Sequence, residues 1–394
     1  MSQRFKGCEI IQSTRASSVH RAGWVMVTPW KIIENGYVRV ENNRVVEVGT
    51  SVFGTHGIDH GAGVLMPGFV NAHLHLELSA LKGAVSFDKG FQAWVGELLV
   101  KRGALGESAL KNAARTGVDQ VMASGTLGVG DISTLGITRE LVVNSGLSGV
   151  WFQEMLGSTP GPFEFAGDAR GKLNCSLAGH APHTSSPELL ARLKERATAN
   201  RLPFSIHVAE SSDESRFLET GRGDWADFLT ERAIDFSSWP LPAVSPVDYL
   251  DRLGILDPLT VAVHLLRVND RDIDILKGRG VKTVVCPRSN RNLHKRLPDI
   301  KRLLDRGLTP GLGTDSLASN DSLSIFDEMA FVGGNYPGIA PSDILAMATV
   351  YGAGALGLAE RMGTLLPGRA GDFLYLPVAA STSETLLENI IRHE

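Results

Sequence analysis

The sequence predicts an α/β protein: a (β/α)8 barrel with a small β-sandwich domain formed by the N- and C-terminal segments. Three observations support this prediction. The chain has 394 residues, which is more than one domain usually holds. Its middle alternates between strand-like runs and helical patterns, and such alternation favours a parallel sheet. Both ends are rich in short β-branched runs broken by Gly and Asn.

The two ends of the chain predict one small β domain. Near the N-terminus, partly alternating apolar runs are separated by turn residues: 23–28, 36–49 and 63–70. A hairpin is expected around Glu41-Asn42-Asn43. The segment GTLLPGRAGDFLYLPV near the C-terminus has the same character. We therefore assign residues 1–66 and 364–394 to the small domain and residues 67–363 to the barrel.

The middle of the chain predicts eight units of a strand followed by a helix. The first strand-like run ends at His73, and seven others follow: 125–133, 149–156, 175–184, 203–211, 259–266, 282–290 and 309–316. Helical patterns such as SPELLARLKERATANR lie between them. Eight units of this total length favour a closed barrel. A doubly wound open sheet is the alternative, but it usually carries a glycine-rich phosphate loop, and the sequence contains neither GxGxxG nor GxxxxGK[ST].

Composition and charge narrow the class of partner. The formal net charge is -4 and the pI is about 6.3, so neither nucleic acid nor an anionic membrane is indicated. No apolar run approaches the ~18 residues of a membrane span, and the N-terminus lacks the apolar core of a signal peptide. The three cysteines form no CxxC motif, which favours reduced thiols. We expect a cytoplasmic protein with a small-molecule substrate; a homodimer is compatible with the sequence.

Polar residues gather at the ends of the strand-like runs. Active sites of (β/α)8 barrels form at the C-terminal ends of the strands, so these side chains should meet at one opening although they are far apart in sequence. In chain order they are His73, His75, Glu154, His180, His183, His207, Glu210, His264, Asn290 and Asp315.

The pair His73 and His75 predicts a metal site. Side chains at positions i and i+2 of a strand point to the same face, so both imidazoles can enter the barrel. A third imidazole is best sought in His207 and a carboxylate in Asp315. This nitrogen and oxygen set suits one divalent ion, Zn2+ first and Fe2+ as the alternative. A solvent-accessible metal ion lowers the pKa of a bound water towards ~7, and Glu210 is placed to move protons.

Each of these residues has a simpler structural explanation when it stands alone. An HxH pair can be two hydrogen-bonded polar residues, Asp315 in GTDS can cap a helix, and His264 in VAVHLL is typical of a buried core histidine. Trp94 is expected on an amphipathic helix after the first strand, where core packing is favoured over stacking on a flat substrate. The shared position at strand ends favours the metal site.

Several motifs resemble those of the amidohydrolase superfamily, specifically its deaminase/chlorohydrolase branch. MPGFVNAHLHLE resembles the branch's PGxxNxHxH segment, HVAES its HxxE, and CPRSN its CPxSN. GLGTDSLASNDSLSIFDEM resembles GTDxxxSNxxxxxxxEM, and GTLLPGRAGDFLYL resembles the closing strand of the small β domain. The resemblance covers nearly the whole chain and implies the same barrel and β-sandwich.

The resemblance implies a set of metal ligands and a proton shuttle. His73, His75 and His207 match the histidine ligands. Asp315 matches the aspartate that binds the metal and also hydrogen-bonds the nucleophilic water. Glu210 matches the residue that carries a proton from the water to the substrate's ring nitrogen and to the leaving ammonia.

Other matched positions imply contacts with the reaction centre and the substrate. His264 matches the histidine that orients the water or the developing oxyanion, and His183 matches one that contacts the sugar of nucleoside substrates. No lysine lies where a bridging carbamate would be needed, because the fourth strand-like run carries His180 and His183 instead. This favours one metal ion over two.

The reaction that the resemblance implies is hydrolytic deamination of a cyclic amidine such as C6 of an adenine. Glu77 and Ser79 in HLHLELSALKG are similar to segments of aminofutalosine deaminases. Glu77 is expected either to bind ribose hydroxyls or to support a neighbouring residue, and Glu154 is a comparable candidate. Trp94 completes the candidate substrate-binding set. The predicted substrate is 6-aminodeoxyfutalosine of menaquinone biosynthesis, followed by other 5′-substituted adenosines.

Two alternatives remain open at this point. The first is another amidohydrolase, acting on guanine, cytosine, a chloro-triazine or a cyclic amide. The second is a metal-binding barrel without catalysis that works as an interaction protein. Intact candidate ligands and Glu210 favour the enzyme, because barrels that lose catalysis usually lose ligands.

Overall fold

The computed structural model describes residues 8–12, 16–50, 57–88, 90–165 and 171–392. The described chain forms two sheets, one of seven strands and one of eight. Parts of the predicted small domain, namely 1–7, 13–15, 51–56 and 393–394, lie outside the described residues, as do 89 and 166–170 of the predicted barrel.

The smaller sheet combines strands from both ends of the chain. Its strands, numbered in chain order with those of the second sheet, are β1 (Glu9–Ile11), β2 (Ser17–Thr28), β3 (Lys31–Glu41), β4 (Arg44–Thr50), β5 (Ile58–Asp59), β6 (Val64–Met66) and β15 (Phe373–Leu376). The order is β1-β15-β6-β2-β3-β4, and β5 pairs with β2. The C-terminal strand β15 therefore lies between two N-terminal strands, as expected for a domain built from both termini.

The predicted hairpin is present between β3 and β4. Asn42 and Asn43 have φ angles of 49° and 59°, the left-handed region that a tight two-residue turn requires. Asparagine tolerates this region better than most residues, which explains the Asn-Asn pair. Val38, Val40 and Val45 then point inward and are fully buried in the core of this sheet.

The second sheet is parallel and closes on itself. Its strands are β7 (Phe69–Leu74), β8 (Thr126–Ser133), β9 (Ser148–Met155), β10 (Leu173–Gly179), β11 (Phe204–Val208), β12 (Thr260–His264), β13 (Lys282–Val285) and β14 (Gly311–Leu312). Each strand pairs with its neighbour in sequence. A bridge between Leu74 and Asp315 joins the last strand's extension to the first, so the predicted (β/α)8 barrel is confirmed.

Side-chain hydrogen bonds reinforce the seam between the first and last strands. The Asn71 amide donates to the Thr314 hydroxyl at 2.7 Å, and the Thr314 backbone N–H donates to the Asn71 side-chain oxygen at 3.1 Å. Both residues are fully buried. Buried polar groups that satisfy each other in this way favour one register of the seam.

Apolar side chains of the described residues fill the lower, N-terminal end of the barrel interior. Val70, Val150 and Val263 from three strands form a core cluster with Leu356 and Met362 from the chain that follows the barrel. The polar residues that follow the strands lie at the opposite, C-terminal end of the barrel, where active sites of this fold form.

Helices surround the barrel and connect its strands. They are α1 (Phe91–Ala104), α2 (Glu107–Ala123), α3 (Arg139–Ser145), α4 (Pro187–Ala199), α5 (Ser212–Thr220), α6 (Asp224–Glu231), α7 (Pro246–Arg252), α8 (Asp270–Gly278), α9 (Pro287–His294), α10 (Ile300–Asp305), α11 (Ile325–Asn335), α12 (Pro341–Ala346), α13 (Gly352–Ala355) and α14 (Ser383–Arg392). A 3₁₀ helix spans Leu76–Leu81 and a π-helical turn spans Met347–Tyr351. In the described part of the chain, no helix combines the length and the apolar character needed to cross a membrane.

The C-terminal helix α14 packs on the barrel rather than on the smaller sheet. Leu386, Ile390 and Ile391 are buried in the large core cluster that also contains Val332 of α11 and Ile344 of α12. The domain boundaries at 66/67 and 363/364 stay a prediction, with the last ten described residues contacting barrel helices.

A cavity of about 240 Å³, here called the lower cavity, lies between the N-terminal ends of β7–β10 and the smaller sheet. Among the described residues, each charged side chain that lines it has a partner within the fold, either an opposite charge or a backbone carbonyl. The Lys172 ammonium lies 2.9 Å from the Asp372 carboxylate, and the Arg361 guanidinium donates to the Lys172 carbonyl at 2.8 Å. The Arg44 guanidinium donates to the Gly368 carbonyl at 2.7 Å.

Candidate active site

The first and fifth barrel strands bring three imidazoles together. His73 and His75 lie at the end of β7, and His207 lies near the end of β11. One ligand atom from each lies within 4.8 Å of the others. The Nε2 atoms of His73 and His207 are 3.3 Å apart, and all three side chains are buried. The predicted convergence of these three residues is therefore present.

Asp315 adds a carboxylate to this group from the end of the eighth strand. Its Oδ1 lies 3.9 Å from Nε2 of His73 and 3.6 Å from Nε2 of His75. Its Oδ2 accepts hydrogen bonds from the hydroxyls of Ser289 at 2.6 Å and Ser319 at 2.9 Å. The two serines fix the carboxylate so that Oδ1 faces the imidazoles.

The backbone of Asp315 is strained in a way that serves this orientation. Its φ angle is 58°, in the left-handed region that a non-glycine residue rarely adopts. The Asp315 N–H donates to the His73 carbonyl at 3.0 Å, which holds the two strand ends together. Strain of this kind clusters at functional sites, where the surrounding structure holds it in place.

Burial keeps the His73 ring neutral, and a hydrogen bond orients the His207 ring. Burial lowers the pKa of His73 well below its ordinary value, and the neighbouring histidines lower it further. Nδ1 of His207 lies 2.6 Å from the His180 carbonyl oxygen, which can only accept a hydrogen bond. Nδ1 of His207 therefore carries the proton, and its Nε2 presents a lone pair to the group.

These four residues fit one divalent metal ion. Three neutral imidazoles and one carboxylate are the donor types that zinc and iron(II) prefer. Nδ1 of His73 is buried without a hydrogen-bond partner among the described residues, so its ring is held by packing. Supporting contacts from Ser289, Ser319 and the His180 carbonyl are of the kind that orient metal ligands.

A second set of candidate ligands shares His207 with the first. Glu154, His180 and His207 also place one ligand atom each within 4.8 Å of the others. However, Nδ1 of His207 donates to the His180 carbonyl, and Nδ1 of His180 lies 2.7 Å from the Thr184 hydroxyl. These contacts favour the set of His73, His75 and His207, and hence one ion.

Glu210 is buried beside the four predicted metal ligands, His73, His75, His207 and Asp315, which are called the metal-site residues below. Its Oε1 lies 3.0 Å from Nε2 of His294, and its Oε2 lies 3.7 Å from Nε2 of His264. Burial would raise the pKa of the Glu210 carboxyl, but His264 and His294 outweigh burial and hold the pKa below its ordinary value. Glu210 is therefore a carboxylate, the form that accepts a proton.

A second glutamate holds the backbone that carries Glu210. The Glu214 carboxylate accepts hydrogen bonds from the N–H groups of Ala209 at 3.0 Å and Glu210 at 2.7 Å. Ala209 has a φ angle of 54°, so the chain turns sharply after β11. Burial raises the pKa of Glu214 to about 8, although the backbone N–H groups oppose this. The capping box that Glu214 forms with Ser211 begins α5 at this point.

His264 is placed to donate a hydrogen bond towards Glu210. Its φ angle is 80°, and its ring is buried at the end of β12. The Asn290 amide lies 3.1 Å from Nδ1 of His264. Because the Asn290 nitrogen can only donate, Nδ1 accepts and Nε2 carries the proton. Burial lowers the pKa of His264, although Glu210 opposes this.

Glu77 and Glu154 both accept hydrogen bonds from Thr134, Glu77 from its backbone N–H and Glu154 from its hydroxyl. Glu77 accepts from the Ser133 hydroxyl at 2.6 Å and from the backbone N–H groups of Thr134 and Leu135 at 3.1 and 3.0 Å. The Thr134 hydroxyl donates to Glu154 at 2.7 Å. Both carboxylates thus organise the loop after β8. Their predicted role in substrate binding stays a prediction, with Glu77 already hydrogen-bonded to this loop.

The site opens into a cavity of about 160 Å³, here called the upper cavity, which reaches from the metal-site residues to helices α1 and α6. His183 lines it, and neither ring nitrogen has a hydrogen-bond partner among the described residues. Burial lowers the pKa of His183 well below its ordinary value, so the ring is neutral. The Trp225 ring lies 4.3 Å from the His183 ring and also lines the cavity.

Trp94 lies on α1, as predicted, and contributes to the cavity wall while packed in the structure. It is buried, and its indole N–H donates to the Ala318 carbonyl at 3.3 Å. The Phe91 ring stacks on it at 5.8 Å. Core packing and a cavity-lining position therefore coexist at this residue.

Sequence reasoning missed the role of His294. The basic run RSNRNLHKR is typical of a solvated surface, yet His294 is buried against Glu210. Helix α9 begins at Pro287 immediately after β13, and Asn290 and His294 are four residues apart on it. Residues at i and i+4 share a helix face, and here the first contacts His264 and the second Glu210. This spacing after the CPRSN motif is the signal that could have found His294.

Fold and site together define the class of protein. A parallel (β/α)8 barrel that gathers imidazoles and carboxylates at the C-terminal ends of its strands has the arrangement of a metal-dependent barrel enzyme. The chain belongs to the amidohydrolase family, whose model matches residues 158–389. It is an enzyme that hydrolyses carbon–nitrogen bonds other than peptide bonds.

Two curated relatives show how far the similarity extends. The chain is 32% identical over 387 residues to a 5-methylthioadenosine/S-adenosylhomocysteine deaminase of Nitratidesulfovibrio vulgaris (strain DP4), covering 90% of this chain and 82% of the relative. It is 33% identical over 322 residues to an aminodeoxyfutalosine deaminase of Deinococcus radiodurans, covering 75% of this chain and 74% of the relative.

A solved structure shares the complete architecture. The crystal structure of Helicobacter pylori aminofutalosine deaminase in complex with methylthio-coformycin matches with a TM-score of 0.82 and 26% identity. The match covers 95% of this chain and 96% of that chain. Both the barrel and the smaller sheet are therefore common to the two proteins.

Proposed function

We propose that this protein is a metal-dependent deaminase of an adenosine-type nucleoside, with 6-aminodeoxyfutalosine as the first candidate substrate and other 5′-substituted adenosines next. One observation carries the proposal: the Glu210 carboxylate is buried between His264 and His294 and lines the same cavity as His75, His207 and Asp315. The similarity to relatives named as methylthioadenosine and aminodeoxyfutalosine deaminases supports this choice within the family.

The residues that would hold the metal are His73, His75, His207 and Asp315, with zinc as the first candidate and iron(II) as the second. When bound, the ion supplies Lewis-acid chemistry that makes a water molecule nucleophilic at neutral pH. The Asp315 carboxylate can accept a hydrogen bond from that water because its second oxygen is held by Ser289 and Ser319.

Glu210 carries the protons in the proposed reaction. It accepts one proton from water as the oxygen adds to the carbon that bears the amino group. It delivers this proton to the adjacent ring nitrogen, which takes up the electron pair displaced from the carbon–nitrogen double bond as the oxygen adds. The second water proton passes to the amino group, the carbon–nitrogen bond breaks, and ammonia leaves with the oxo product. Positioned proton transfer of this kind contributes about 10²- to 10⁴-fold to rate.

His264 stabilises the charge that develops on the added oxygen. Its Nε2 proton points towards the space between Glu210 and the metal-site residues, since Asn290 occupies Nδ1. A donor fixed in a buried site stabilises a developing oxyanion more strongly than water does. His264 thus acts on the transition state, while Asn290 fixes its tautomer.

The upper cavity offers surfaces suited to a purine nucleoside. The rings of Phe91, Trp94, Trp225 and Phe228 line one side and provide flat apolar surface for a base. Trp225 contributes an indole N–H and His183 two ring nitrogens that have no hydrogen-bond partner among the described residues. These groups can hydrogen-bond the polar atoms of the nucleoside.

An ammonia-release panel tests the proposal. The zinc-loaded protein is assayed with adenosine, methylthioadenosine, S-adenosylhomocysteine, 6-aminodeoxyfutalosine, guanine and cytosine, and the metal content of the same sample is measured. We expect kcat/KM to be highest for a 5′-substituted adenosine. A strong preference for guanine or cytosine, or chloride release from a chloro-triazine without ammonia from any adenosine, would overturn it. Folded protein without bound metal would favour the non-catalytic alternative.

The predicted cytoplasmic location and homodimer remain predictions beside this proposal. Native mass spectrometry of the purified chain measures the second directly. A small-molecule substrate is the partner that the upper cavity supports.

A further inference from the structure

Arg102 is a positive charge in the upper cavity that the proposed chemistry does not use. It lies near the end of α1, and its side chain is 21% exposed. Among the described residues that line this cavity, it is the one with a permanent positive charge. The same cavity contains four carboxylates, those of Glu77, Glu154, Glu210 and Asp315. A substrate anion therefore has one favourable place in this cavity apart from the metal site.

The Arg102 guanidinium is not hydrogen-bonded to Glu77, its acidic neighbour. Arg102 Nη1 lies 3.9 Å from Oε1 of Glu77, which is beyond hydrogen-bond distance. Glu77 is already satisfied by the hydroxyl of Ser133 and two backbone N–H groups. Within the described part of the chain, Arg102 makes no side-chain hydrogen bond, so its five N–H donors remain available.

Helix α1 places Arg102 at one end of the cavity wall. One face of α1 lines the cavity over its whole length: Phe91, Trp94, Val95, Leu98, Leu99 and Arg102. Eleven residues of helix rise by about 16 Å, so this wall extends for about three turns. The Phe91 ring lies 4.7 Å from the ring of His294, which contacts Glu210. Phe91 thus marks the Glu210 end of the wall and Arg102 the other end.

The proposed reaction orients a nucleoside along this wall. Glu210 must lie beside the ring nitrogen next to the reacting carbon. In a purine nucleoside the sugar is attached on the far side of the base from that nitrogen. The sugar and its 5′-substituent then extend away from Glu210, towards the end of the wall where Arg102 lies.

We propose that Arg102 binds a carboxylate on the 5′-substituent of the substrate, which makes adenosines with an acidic and otherwise apolar 5′-substituent the preferred class. This inference rests on the proposed deaminase function. Arginine binds carboxylates through two parallel N–H donors, so the interaction selects for charge and for geometry. A neutral substituent of the same size forfeits it.

The surroundings of Arg102 also select against a zwitterionic substituent. Leu78, Leu98 and Leu99 line the cavity beside it. Glu77, the acid nearest to Arg102, is engaged with the loop after β8. An ammonium group next to Arg102 would lose its hydration and be repelled by the guanidinium. An aryl or alkyl carboxylate instead combines apolar contact with the guanidinium.

Matched substrates test the assignment in the zinc-loaded full chain. One is 6-aminodeoxyfutalosine, which carries a benzoate; the second is its primary carboxamide, which has the same shape without the charge. We expect the wild type to favour the carboxylate by roughly 10- to 100-fold in kcat/KM, the range for hydrogen bonds to a charged group. Arg102→Gln should abolish this ratio, and Arg102→Lys should keep part of it.

Control measurements distinguish a failure of the Arg102 assignment from a failure of the proposed deaminase function. Lys101→Gln removes a neighbouring charge on α1 that does not line the cavity, and it should keep the wild-type ratio. Ammonia release from 5′-deoxyadenosine by the wild type reports on the deaminase function alone. If that release occurs but the ratio is near one, or Arg102→Gln slows both substrates equally, the Arg102 assignment is wrong. If no adenosine releases ammonia, the deaminase function and this inference both fail.

Discussion

The two cavities of the barrel differ in what their polar groups are free to do. The lower cavity has the larger volume, about 240 Å³ against 160 Å³. Its charged side chains have partners within the fold: Lys172 pairs with Asp372, and the Arg44 and Arg361 guanidinium groups donate to backbone carbonyls. The upper cavity instead contains the ring nitrogens of His183, which have no hydrogen-bond partner among the described residues, and the Arg102 guanidinium, which lies 3.9 Å from the Glu77 carboxylate. The larger volume therefore does not mark the candidate active site, which the imidazoles and carboxylates gathered at the upper cavity identify instead.

Three residues at the upper ends of the barrel strands share an uncommon backbone conformation. Ala209, His264 and Asp315 have φ angles between 54° and 80°, in the left-handed region. Each lies at or just after the C-terminal end of a barrel strand, beside the upper cavity. The lower end is closed by apolar packing around Leu356 and Met362. Substitutions in the upper cavity should therefore change catalysis, and matched substitutions in the lower cavity should change stability alone.

The largest expected effect comes from Glu210→Gln. The amide cannot accept a proton, so kcat should fall by about 10²- to 10⁴-fold. Metal content should not change, because Glu210 is not among the predicted ligands. Ammonia release and metal analysis on one sample measure both. Asp372→Asn is the matched change in the lower cavity and should leave kcat unchanged. Normal turnover in Glu210→Gln would mean that the proton shuttle is misassigned.

Asp315→Asn should reduce metal retention as well as rate. Residues that merely support a metal ligand alter affinity by about 10- to 100-fold, so loss of the ligand charge should cost at least this much. Competition with a chromogenic chelator measures the affinity. Asp321→Asn, an exposed acid on the following loop that pairs with Arg288, serves as the control. Wild-type affinity in Asp315→Asn would remove this residue from the metal site.

His294→Leu should slow turnover by roughly 10-fold, because Glu210 loses a hydrogen bond to a charged group. His294 also holds the pKa of Glu210 down. Without it that pKa rises, so activity should begin to fall at a higher pH on acidification than in the wild type. The acidic limb of the pH profile of kcat/KM measures this shift. In His294→Gln the amide can still donate to Glu210, so both kcat and the acidic limb of the profile should return part of the way to wild-type values. An unchanged limb in both variants would exclude coupling of His294 to Glu210.

The smallest effect should come from the cavity wall. Phe228 lines the upper cavity and contacts Trp225 at 5.1 Å between ring centroids. Phe228→Ala should raise KM about 3- to 10-fold, the cost of one aromatic contact, and change kcat little. Trp30→Ala in the smaller sheet, where the side chain is 54% exposed, is the control. An equal loss in kcat would show that α6 also shapes the reaction centre.

The sequence predicts the strand ends far better than the cavity wall. His73 and His75 could be placed because a strand has a period of two and a barrel has one functional face. Phe228 and Arg102 could not, because the face that a helix presents depends on how it packs against its neighbours. His294 shows an intermediate case, in which position follows from the start of α9 at Pro287.

The seam between Asn71 and Thr314 has a consequence for how the enzyme matures. These residues are 243 positions apart, and their hydrogen bonds join the first barrel strand to the last. His73 and Asp315 stand beside this seam, so the predicted set of four ligands comes together only when the last barrel strand pairs with the first. Coordination by all four therefore requires a barrel that is completely synthesised and closed.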